Sequence, residues 1–247
     1  MVAPQKYNNM KSVIVSSKRS DVVSGRIKGG LDVVKGDLSF ITKITKNGKH
    51  VCNGALVDRR WLLTVRDCIY EKRLSQYKVY FKPMDSETVP MNLVRTIRKI
   101  VVPSTGPQDI VLARLNKKLK RKEDNVRPFD RFSFQEIEPK LIRCKTVGFS
   151  PNGKLLNEID ITTDSAERCR VTSETDTCPF DIVGGKEDNG SPIICKLDVT
   201  NDKKWYLAGL TAIDNGCKAA NIKGKRLSYF RDFIMENNFF RADDYRI

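Results

Sequence analysis

This 247-residue chain has no long apolar run, only one histidine and no visible secretion signal. No stretch approaches the roughly 18 consecutive apolar residues of a membrane helix, and the N-terminus, MVAPQKYNNMKSVIVSSKRSD, lacks the apolar core of a signal peptide. Only one histidine, His50, is present and no two cysteines form a CxxC pair, so the sequence holds no credible zinc site. We therefore expect no metal, no cofactor and no association with a membrane.

Seven cysteines are nevertheless dispersed over the chain. This dispersal is typical of structural disulfides, which persist in oxidising compartments. We therefore expect a secreted, extracellular protein, although no signal peptide is visible in this chain. The odd number leaves one thiol over, and a cytosolic protein with seven thiols is the alternative interpretation.

An excess of positive charge is the other strong feature. The chain has 45 Lys and Arg against 30 Asp and Glu, a net charge of +15 and a pI near 9.5. Such a surface attracts polyanions over about the Debye length, ~8 Å at physiological salt. The alternative is a solvated surface whose charge only keeps the protein soluble.

The densest basic run, KKLKRK at residues 117–122, is the candidate centre of a polyanion site. Five of its six positions are cationic, and their mutual repulsion should keep the run solvated and mobile. A bound sulfated chain would neutralise several of these charges together and release counterions, so binding would weaken with salt. The candidate residues are Lys117, Lys118, Lys120, Arg121 and Lys122.

From Leu38 onwards, short apolar runs alternate with turn residues. The runs SFITKIT, HVCNGALV, RRWLLTV, YKVYF, RKIVVP and DIVLARL are rich in β-branched or aromatic residues, which is typical of an all-β sandwich or barrel. Asn47-Gly48 predicts a hairpin turn, because both central residues tolerate positive φ. Residues 1–25 are polar and indicate a mobile leader, and the basic segment 116–128 separates the first set of strands from the second.

The chain is predicted to close with one amphipathic helix. In LSYFRDFIMENN the apolar side chains recur at helical spacing with charge between them. They are Tyr229, Phe230, Phe233 and Ile234.

Four segments resemble, in order, motifs of the chymotrypsin–trypsin family of serine proteases. Residues 26–30 read RIKGG, similar to the activation site Arg-Ile-Val-Gly-Gly. Residues 52–68 read CNGALVDRRWLLTVRDC, similar to Cys-Gly-Gly-Ser-Leu through Trp-Val-Leu-Thr-Ala-Ala-His-Cys. Residues 109–115, DIVLARL, are similar to Asp-Ile-Ala-Leu-Leu-Arg-Leu, and residues 188–195, DNGSPIIC, to Asp-Ser-Gly-Gly-Pro-Leu-Val-Cys. The ending, LAGLTAIDNGC followed by a helix, resembles the family too.

The resemblance implies an all-β fold of two six-stranded antiparallel β-barrels with a C-terminal α-helix. Residues 1–26 would be a leader or pro-segment, and residues 27–247 the protease-like domain. Within that domain, the first barrel would span about 27–128, the second about 129–227 and the helix about 228–238.

The resemblance also implies disulfide bridges. Cys217 falls where the family has one half of a further bridge, but the partner position, near Gly185, is not cysteine. Cys217 is therefore expected to be the odd free thiol, either buried and inert or available for a disulfide with another chain. The three implied pairs are Cys52–Cys68, Cys144–Cys195 and Cys169–Cys178.

Acyl transfer by this fold needs a serine hydroxyl, an imidazole that takes its proton, a carboxylate that holds the imidazole, and backbone N–H groups for the oxyanion. On the resemblance, Asp109 is the retained carboxylate, but Asp67 stands at the imidazole position and Asn189 at the nucleophile position. Glu187 replaces a glycine whose N–H helps form the oxyanion hole. We therefore expect an inactive homologue. Asp67 and Asp109 should repel each other unless one is protonated or a cation sits between them.

The specificity pocket also departs from the family. Ala212, Ile213 and Asp214 stand where the family usually has Ser, Trp and Gly, and Val183 aligns with the pocket floor. A preference for basic substrate residues is therefore not expected. His50 stands where the family often has a structural histidine, and a role as a replacement base is the alternative interpretation.

A retained conformational switch is a further hypothesis. In the family, the aspartate at the position of Asp188 receives the new α-amino group after cleavage before isoleucine. Arg26, Ile27 and Asp188 all persist here. The alternative is that Asp188 is kept for folding and that SGRI is only a basic turn.

Three functional hypotheses follow. The first is a secreted, non-catalytic serine protease homologue that binds a protein partner, such as a protease or another cascade component. It would act as cofactor, decoy or regulator in an extracellular proteolytic pathway of immunity or reproduction. The second is a heparin-like polyanion-binding module on the protease scaffold, with a sulfated polyanion as ligand and nucleic acid disfavoured. The third, a minor alternative, is an active hydrolase with rearranged catalytic residues.

Overall fold

The computed structural model describes residues 31–32, 38–70, 73–81, 93–120, 126–129, 132, 142–149, 156–161, 176–177, 188–197, 205–213 and 222–237. A two-residue strand, β1 (Leu31–Asp32), comes first in this part of the chain. Strands dominate the described residues, accompanied by two short 3-10 helices, Arg66–Cys68 and Leu74–Gln76, and one α-helix, Arg231–Glu236. The predicted all-β fold is confirmed.

The first half of the chain forms a closed antiparallel barrel of six strands, called barrel 1 below. Its first hairpin turns at Asn47-Gly48, where both φ angles are positive, 50° and 84°, as the sequence predicts for a two-residue turn. The strands are β2 (Ile41–Lys46), β3 (Lys49–Asp58), β4 (Trp61–Val65), β5 (Tyr77–Phe81), β6 (Val94–Val101) and β7 (Ile110–Leu115), in the order β2-β3-β4-β7-β6-β5.

Barrel 1 closes because its strands place apolar side chains on the inner face. In β5 the side chains of Tyr77, Val79 and Phe81 are buried, whereas Lys78 between them is exposed. This alternation is the two-residue period of a strand with one buried face.

The second half contributes six strands to a seven-stranded antiparallel sheet, where six strands in a barrel were expected. The seventh strand is β1, which comes from the first half of the chain, and no hydrogen bonding closes the edges of this sheet among the residues that the structure describes. Leu31–Asp32, assigned to the first barrel from the sequence, pairs with Asn157 and Glu158 of this sheet instead. Its further strands are β8 (Ile142–Phe149), β9 (Leu156–Ile161), β10 (Asp176–Thr177), β11 (Pro192–Leu197), β12 (Trp205–Ile213) and β13 (Ile222–Arg226), in the order β1-β9-β8-β11-β12-β13-β10.

Two of the implied disulfides are present, Cys52–Cys68 and Cys144–Cys195. Cys144 and Cys195 are register partners on β8 and β11, with their Cα atoms 4.0 Å apart. The sequence separation of 51 residues implies a stabilisation of ~4 kcal/mol in the chain-entropy model. Cys169, Cys178 and Cys217 lie outside the described residues.

The C-terminal helix, called α1 below, is shorter than predicted and runs from Arg231 to Glu236. Phe230 and Ile234 are buried, and the Ile234 N–H donates to the Phe230 carbonyl at 3.0 Å. Tyr229, predicted on the apolar face, is 42% exposed; it lies in the turn before the first helical residue, where the helical period does not set the direction of its side chain.

One hydrophobic core extends from barrel 1 into the second sheet. It includes Ile44 and Leu56 in barrel 1 and Val147, Phe149 and Leu207 in the second sheet. Strand β2 packs near β8, and β4 packs near β12. The candidate site described next lies where these strands meet.

Candidate functional site

Asp109, the expected catalytic carboxylate, is bonded to a lysine. The Lys225 Nζ on β13 donates to Asp109 Oδ2 at 3.0 Å, and the two side chains are 17% and 33% exposed, respectively. The Asp109 carbonyl accepts from the Arg66 N–H at 2.7 Å, which ties the residue before β7 to the 3-10 helix after β4. The carboxylate is therefore already engaged by a cation from the second sheet.

Asp67, at the expected imidazole position, lies in the 3-10 helix Arg66–Cys68 and is exposed. The next residue, Cys68, is buried and bonded to Cys52, so the disulfide anchors this helix to β3. The expected repulsion between Asp67 and Asp109 is reduced in two ways, because Lys225 neutralises Asp109 and solvent screens Asp67.

Asn189, at the expected nucleophile position, is only 8% exposed. Its carbonyl accepts from the Asn53 N–H of β3 at 2.8 Å. Asp188 before it is 2% exposed, so its side chain belongs to the protein interior. The side chain at the nucleophile position is an amide, which can donate and accept hydrogen bonds but cannot attack a carbonyl.

Thr211 of β12 fixes the loop 188–191. Its hydroxyl donates to the Asp188 carbonyl and accepts from the Ser191 N–H at 2.9 Å. Its carbonyl accepts from the Gly190 N–H at 2.8 Å, and its own N–H donates to the Ser191 carbonyl at 2.9 Å. Four hydrogen bonds to a single strand residue therefore define the conformation of this loop.

A buried pair, Asn53 and Ser191, was missed by the sequence analysis. The Asn53 Nδ2 donates to the Ser191 Oγ at 2.9 Å, and neither residue is exposed. The Asn53 carbonyl accepts from the Thr64 hydroxyl at 2.8 Å, and its Oδ1 accepts from the Phe149 N–H at 3.4 Å. The motifs quoted above have glycine at both positions, so the simultaneous loss of two glycines was the available signal.

The glycines beside this pair are required by close packing. Gly190 has φ +77°, and a Cβ there would collide with the Thr64 Oγ1 and the Asn53 carbonyl oxygen. A Cβ on Gly148 would lie 2.8 Å from both the Asn53 Nδ2 and the Ser191 Oγ.

His50 has a structural role in the geometry described here. Its Nε2 lies 3.0 Å from the Cys52 carbonyl and 3.2 Å from the Asn53 Oδ1. Both of these atoms are acceptors, so Nε2 carries a proton and donates. This nitrogen is not available as a replacement base.

The basic run is exposed at its described cationic positions, Lys117, Lys118 and Lys120. Leu119 between them is 1% exposed, however, and its N–H donates to the Arg59 carbonyl at 2.8 Å. The Arg59 Nη2 donates back to the Leu119 carbonyl. These contacts anchor residues 117–120 to barrel 1, in contrast to the mobile loop that was expected.

Several predicted site residues lie outside the described residues. Ala212, half-buried on β12, and the backbone of Ile213 are described, and Ile213 pairs with Ile222 of β13. The positions that are not described are Arg26, Ile27, Arg121, Lys122, Val183, Glu187 and Asp214.

The described residues contain no group of three or more His, Cys, Asp or Glu side chains that could hold a metal ion. No helix among them is long and apolar enough to span a membrane.

Two comparisons place the chain among known proteins. A family model described as trypsin matches residues 27–234. A solved structure of a mutant human heparin binding protein (CAP37) superposes with a TM-score of 0.63 at 18% sequence identity, covering 85% of this chain and 96% of that one. At this identity the superposition shows a common fold.

Proposed function

Because the chain belongs to the trypsin family over residues 27–234, we propose that it is a non-catalytic member of that family which acts by binding a protein. It would serve as cofactor, decoy or regulator in an extracellular proteolytic pathway. The observation that carries this proposal is the Lys225–Asp109 ion pair at 3.0 Å, in a chain that has Asp67 at the imidazole position and Asn189 at the serine position.

The ion pair opposes general-base catalysis. In a working triad the carboxylate orients an imidazole and stabilises the imidazolium that forms during acyl transfer. Here the Lys225 ammonium donates to the Asp109 carboxylate. A lysine ammonium has donors and no acceptor, so it cannot take a proton from a nucleophile. Asp67, exposed on its short helix, supplies no imidazole to compete with it.

The other catalytic positions support the same proposal. Asn189 has no hydroxyl, and its carbonyl is bonded to the Asn53 N–H of barrel 1. Glu187 adds an anionic side chain at the position where the family needs a backbone donor for the oxyanion. Each loss alone would lower acyl transfer strongly, and together they leave no group that could start the reaction.

A binding role is supported by what the chain retains. The closed barrel, the two disulfides and the hydrogen bonds of the loop 188–191 preserve the scaffold, although its catalytic side chains are absent. Disulfides persist in oxidising compartments, which supports an extracellular site of action. The partner that we propose is a protease or another cascade component, as the family resemblance implies.

Fluorophosphonate labelling tests the catalytic half of this proposal. The probe forms a covalent bond with activated serines, and we expect none on this chain, before or after cleavage at Arg26. An active trypsin-family protease in the same reaction is the positive control. Labelling that disappears after heat denaturation would support the minor alternative, an active hydrolase with rearranged residues.

Polyanion binding is the second candidate function. It is favoured by the exposure of Lys117, Lys118 and Lys120 on an anchored segment. The similarity in fold to a protein named for heparin binding agrees with it. Retention on heparin that falls steeply with salt would support this function.

A further inference from the structure

The net charge of the chain is confined to its first 120 residues. Those residues hold 24 of the 45 Lys and Arg and 9 of the 30 Asp and Glu, which leaves 21 of each in residues 121–247. The second half is therefore neutral in total, and the excess of +15 belongs entirely to the first half. Residues 1–30 carry +5 of this excess, and residues 31–120, which include barrel 1, hold 18 Lys and Arg and 8 Asp and Glu, a net +10. Within the described part of the chain, attraction for polyanions should therefore be strongest around barrel 1.

Three neighbouring strands of barrel 1 carry cations without carboxylates. Strands β5, β6 and β7 read YKVYF, VRTIRKIV and IVLARL, and none of them contains Asp or Glu. Lys99 of β6 is the register partner of Arg114 of β7, and Arg114 is the partner of Trp61 of β4. Like charges directly opposite each other on adjacent strands are destabilising. A bound anion would remove this repulsion.

The basic run lies beside the same strands. The Asn116 N–H donates to the Thr96 carbonyl at 2.9 Å, and the Thr96 N–H donates to the Asn116 Oδ1 at 3.2 Å. These bonds hold Asn116, the residue before Lys117, against Thr96 of β6. Thr96 is two residues before Arg98 on that strand. We call this surface the basic face, and it consists of Arg98, Lys99, Arg114, Lys117 and Lys118.

Contacts with Arg60 and Trp61 restrain the residues around the basic face. Arg60 donates from Nε to the Leu115 carbonyl at 3.2 Å and from Nη2 to the Asn116 carbonyl at 3.1 Å. The Arg114 guanidinium lies 6.0 Å from the centre of the Trp61 ring, a cation–π contact that restricts its position. A backbone segment that is already held in place loses less conformational entropy when it binds a ligand than a mobile loop does.

Carboxylates do not compensate the basic face. Within the described part of the chain, no salt bridge joins any of its five residues to Asp or Glu. Asp58, the last residue of β3, accepts from the Arg60 backbone N–H at 2.9 Å. Arg98, Lys99, Lys117 and Lys118 are exposed and Arg114 is half-buried, so four of the five cations face solvent directly.

We propose that the basic face binds a linear sulfated polysaccharide along β6, β7 and the segment that follows β7. This inference rests on the second candidate function and places its site on the five residues of the basic face, of which only Lys117 and Lys118 belong to the basic run. The disulfides favour this ligand over nucleic acid, because sulfated polysaccharides are the common linear polyanions of oxidising extracellular compartments. Several sulfate groups would each neutralise a cation and release counterions.

The test is a titration with a heparin oligosaccharide at several salt concentrations. The variant K99T/R114T removes two cations from the basic face and keeps residues that suit strands. The control K145T/K196T likewise removes two cations from strands. These cations also lie beside an indole, because the Nζ atoms of Lys145 and Lys196 are 4.8 and 4.7 Å from the centre of the Trp205 ring. We expect K99T/R114T to lower the slope of log Kd against log salt by roughly two, and the control to change it much less.

A footprint of the unaltered protein gives a second measurement that does not depend on the folding of a variant. Acetylation of Lys99, Lys117 and Lys118 should be suppressed by the heparin oligosaccharide, whereas Lys145 and Lys196 should react as before. Equal protection of both groups, or equal losses of affinity in both variants, would overturn the basic face while leaving polyanion binding in place.

Two other results identify different failures. If the unaltered protein does not bind heparin at physiological salt, the polyanion function itself is wrong and the site falls with it. If single-stranded DNA of equal charge binds more tightly than heparin, the assignment to a sulfated polysaccharide is wrong.

Discussion

The side-chain amide of Asn53 donates to the hydroxyl of Ser191 at 2.9 Å, and both residues are fully buried. Asn53 belongs to β3 of barrel 1, whereas Ser191 directly precedes β11 of the second sheet. Two polar side chains that replace glycines therefore satisfy each other at the boundary between the two halves. A buried polar group without such a partner would be costly.

Removing the side chain of Asn53 or of Ser191 should lower the free energy of unfolding by more than the value of one hydrogen bond, because the remaining buried group loses its partner. Asn53→Gly leaves the Ser191 hydroxyl and the Phe149 N–H without the partners they now have, and we expect a loss of about 1–3 kcal/mol in the free energy of unfolding. Urea unfolding of the two single variants and of N53G/S191G would give a coupling of about 1 kcal/mol. Strictly additive losses would show that the two residues do not stabilise each other.

Gly190 should be far less tolerant of a side chain than Gly48. Both have positive φ, +77° and +84°, but a Cβ on Gly48 meets nothing within 4 Å, whereas one on Gly190 collides with Thr64 and Asn53. Gly48→Ala should cost about 1 kcal/mol from backbone strain alone. Gly190→Ala should cost several kilocalories per mole more, measured by thermal unfolding. Equal costs would contradict the close packing of the loop 188–191.

Lys43 should make stability depend on pH in the alkaline range. Burial lowers the pKa of Lys43 below its ordinary value of 10.5, so its charged form is disfavoured in the folded state. Between the lowered pKa and 10.5 the unfolded chain binds more protons, and this residue's contribution to stability rises with pH. Lys43→Met should therefore stabilise the protein at neutral pH, and the gain should shrink as pH rises through this window.

Lys78→Met is the matched control for that experiment, because it removes one positive charge from the neighbouring strand β5, where Lys78 is exposed. The measurement is the difference in the free energy of unfolding between each variant and the parent protein across the alkaline range. A gain for Lys43→Met that is the same at every pH would contradict the effect of burial on the pKa of this lysine.

Lys225 should oppose any attempt to rebuild the catalytic centre. In a D67H/E187G/N189S variant the new imidazole needs Asp109, which Lys225 holds at 3.0 Å. In a working triad, replacing the aspartate by asparagine lowers kcat ~10⁴-fold, because the imidazole is no longer held in the correct tautomer. Adding Lys225→Thr should therefore raise ester turnover, whereas Lys223→Thr, two residues earlier on the same strand, should not. Equal turnover in both would mean that the ion pair has no bearing on catalysis.

The strand patterns and the family motifs in the sequence were sufficient to predict the fold. Alternating burial in β5 and the Asn47-Gly48 turn follow directly from local residue types, and the pairing of Cys52 with Cys68 follows from the family resemblance. The pairing of Leu31–Asp32 with β9 could not be predicted, because two residues carry no periodic signal and their partner lies more than a hundred positions away.

The candidate site was only partly predictable for a similar reason. The changed residues at positions 67, 109 and 189 could be aligned with motifs, but Lys225 lies in a strand that no motif marks. Its partnership with Asp109 depends on how β13 approaches the end of β4 and the start of β7, which is a tertiary relationship. Lys99 and Arg114 likewise become neighbours only through the register of β6 and β7.

Turnover of chromogenic peptide and ester substrates by the unaltered protein and by Asn189→Ser tests the central claim most directly. Both should be measured before and after cleavage at Arg26, at protein concentrations high enough to detect a very slow enzyme. We expect no rate above the buffer blank for either protein, because the imidazole is still missing when the serine is restored and Glu187 still places an anionic side chain at the oxyanion position. Turnover that co-purifies with the folded protein and rises with its concentration, in the unaltered chain or in Asn189→Ser, would contradict the account of a non-catalytic homologue.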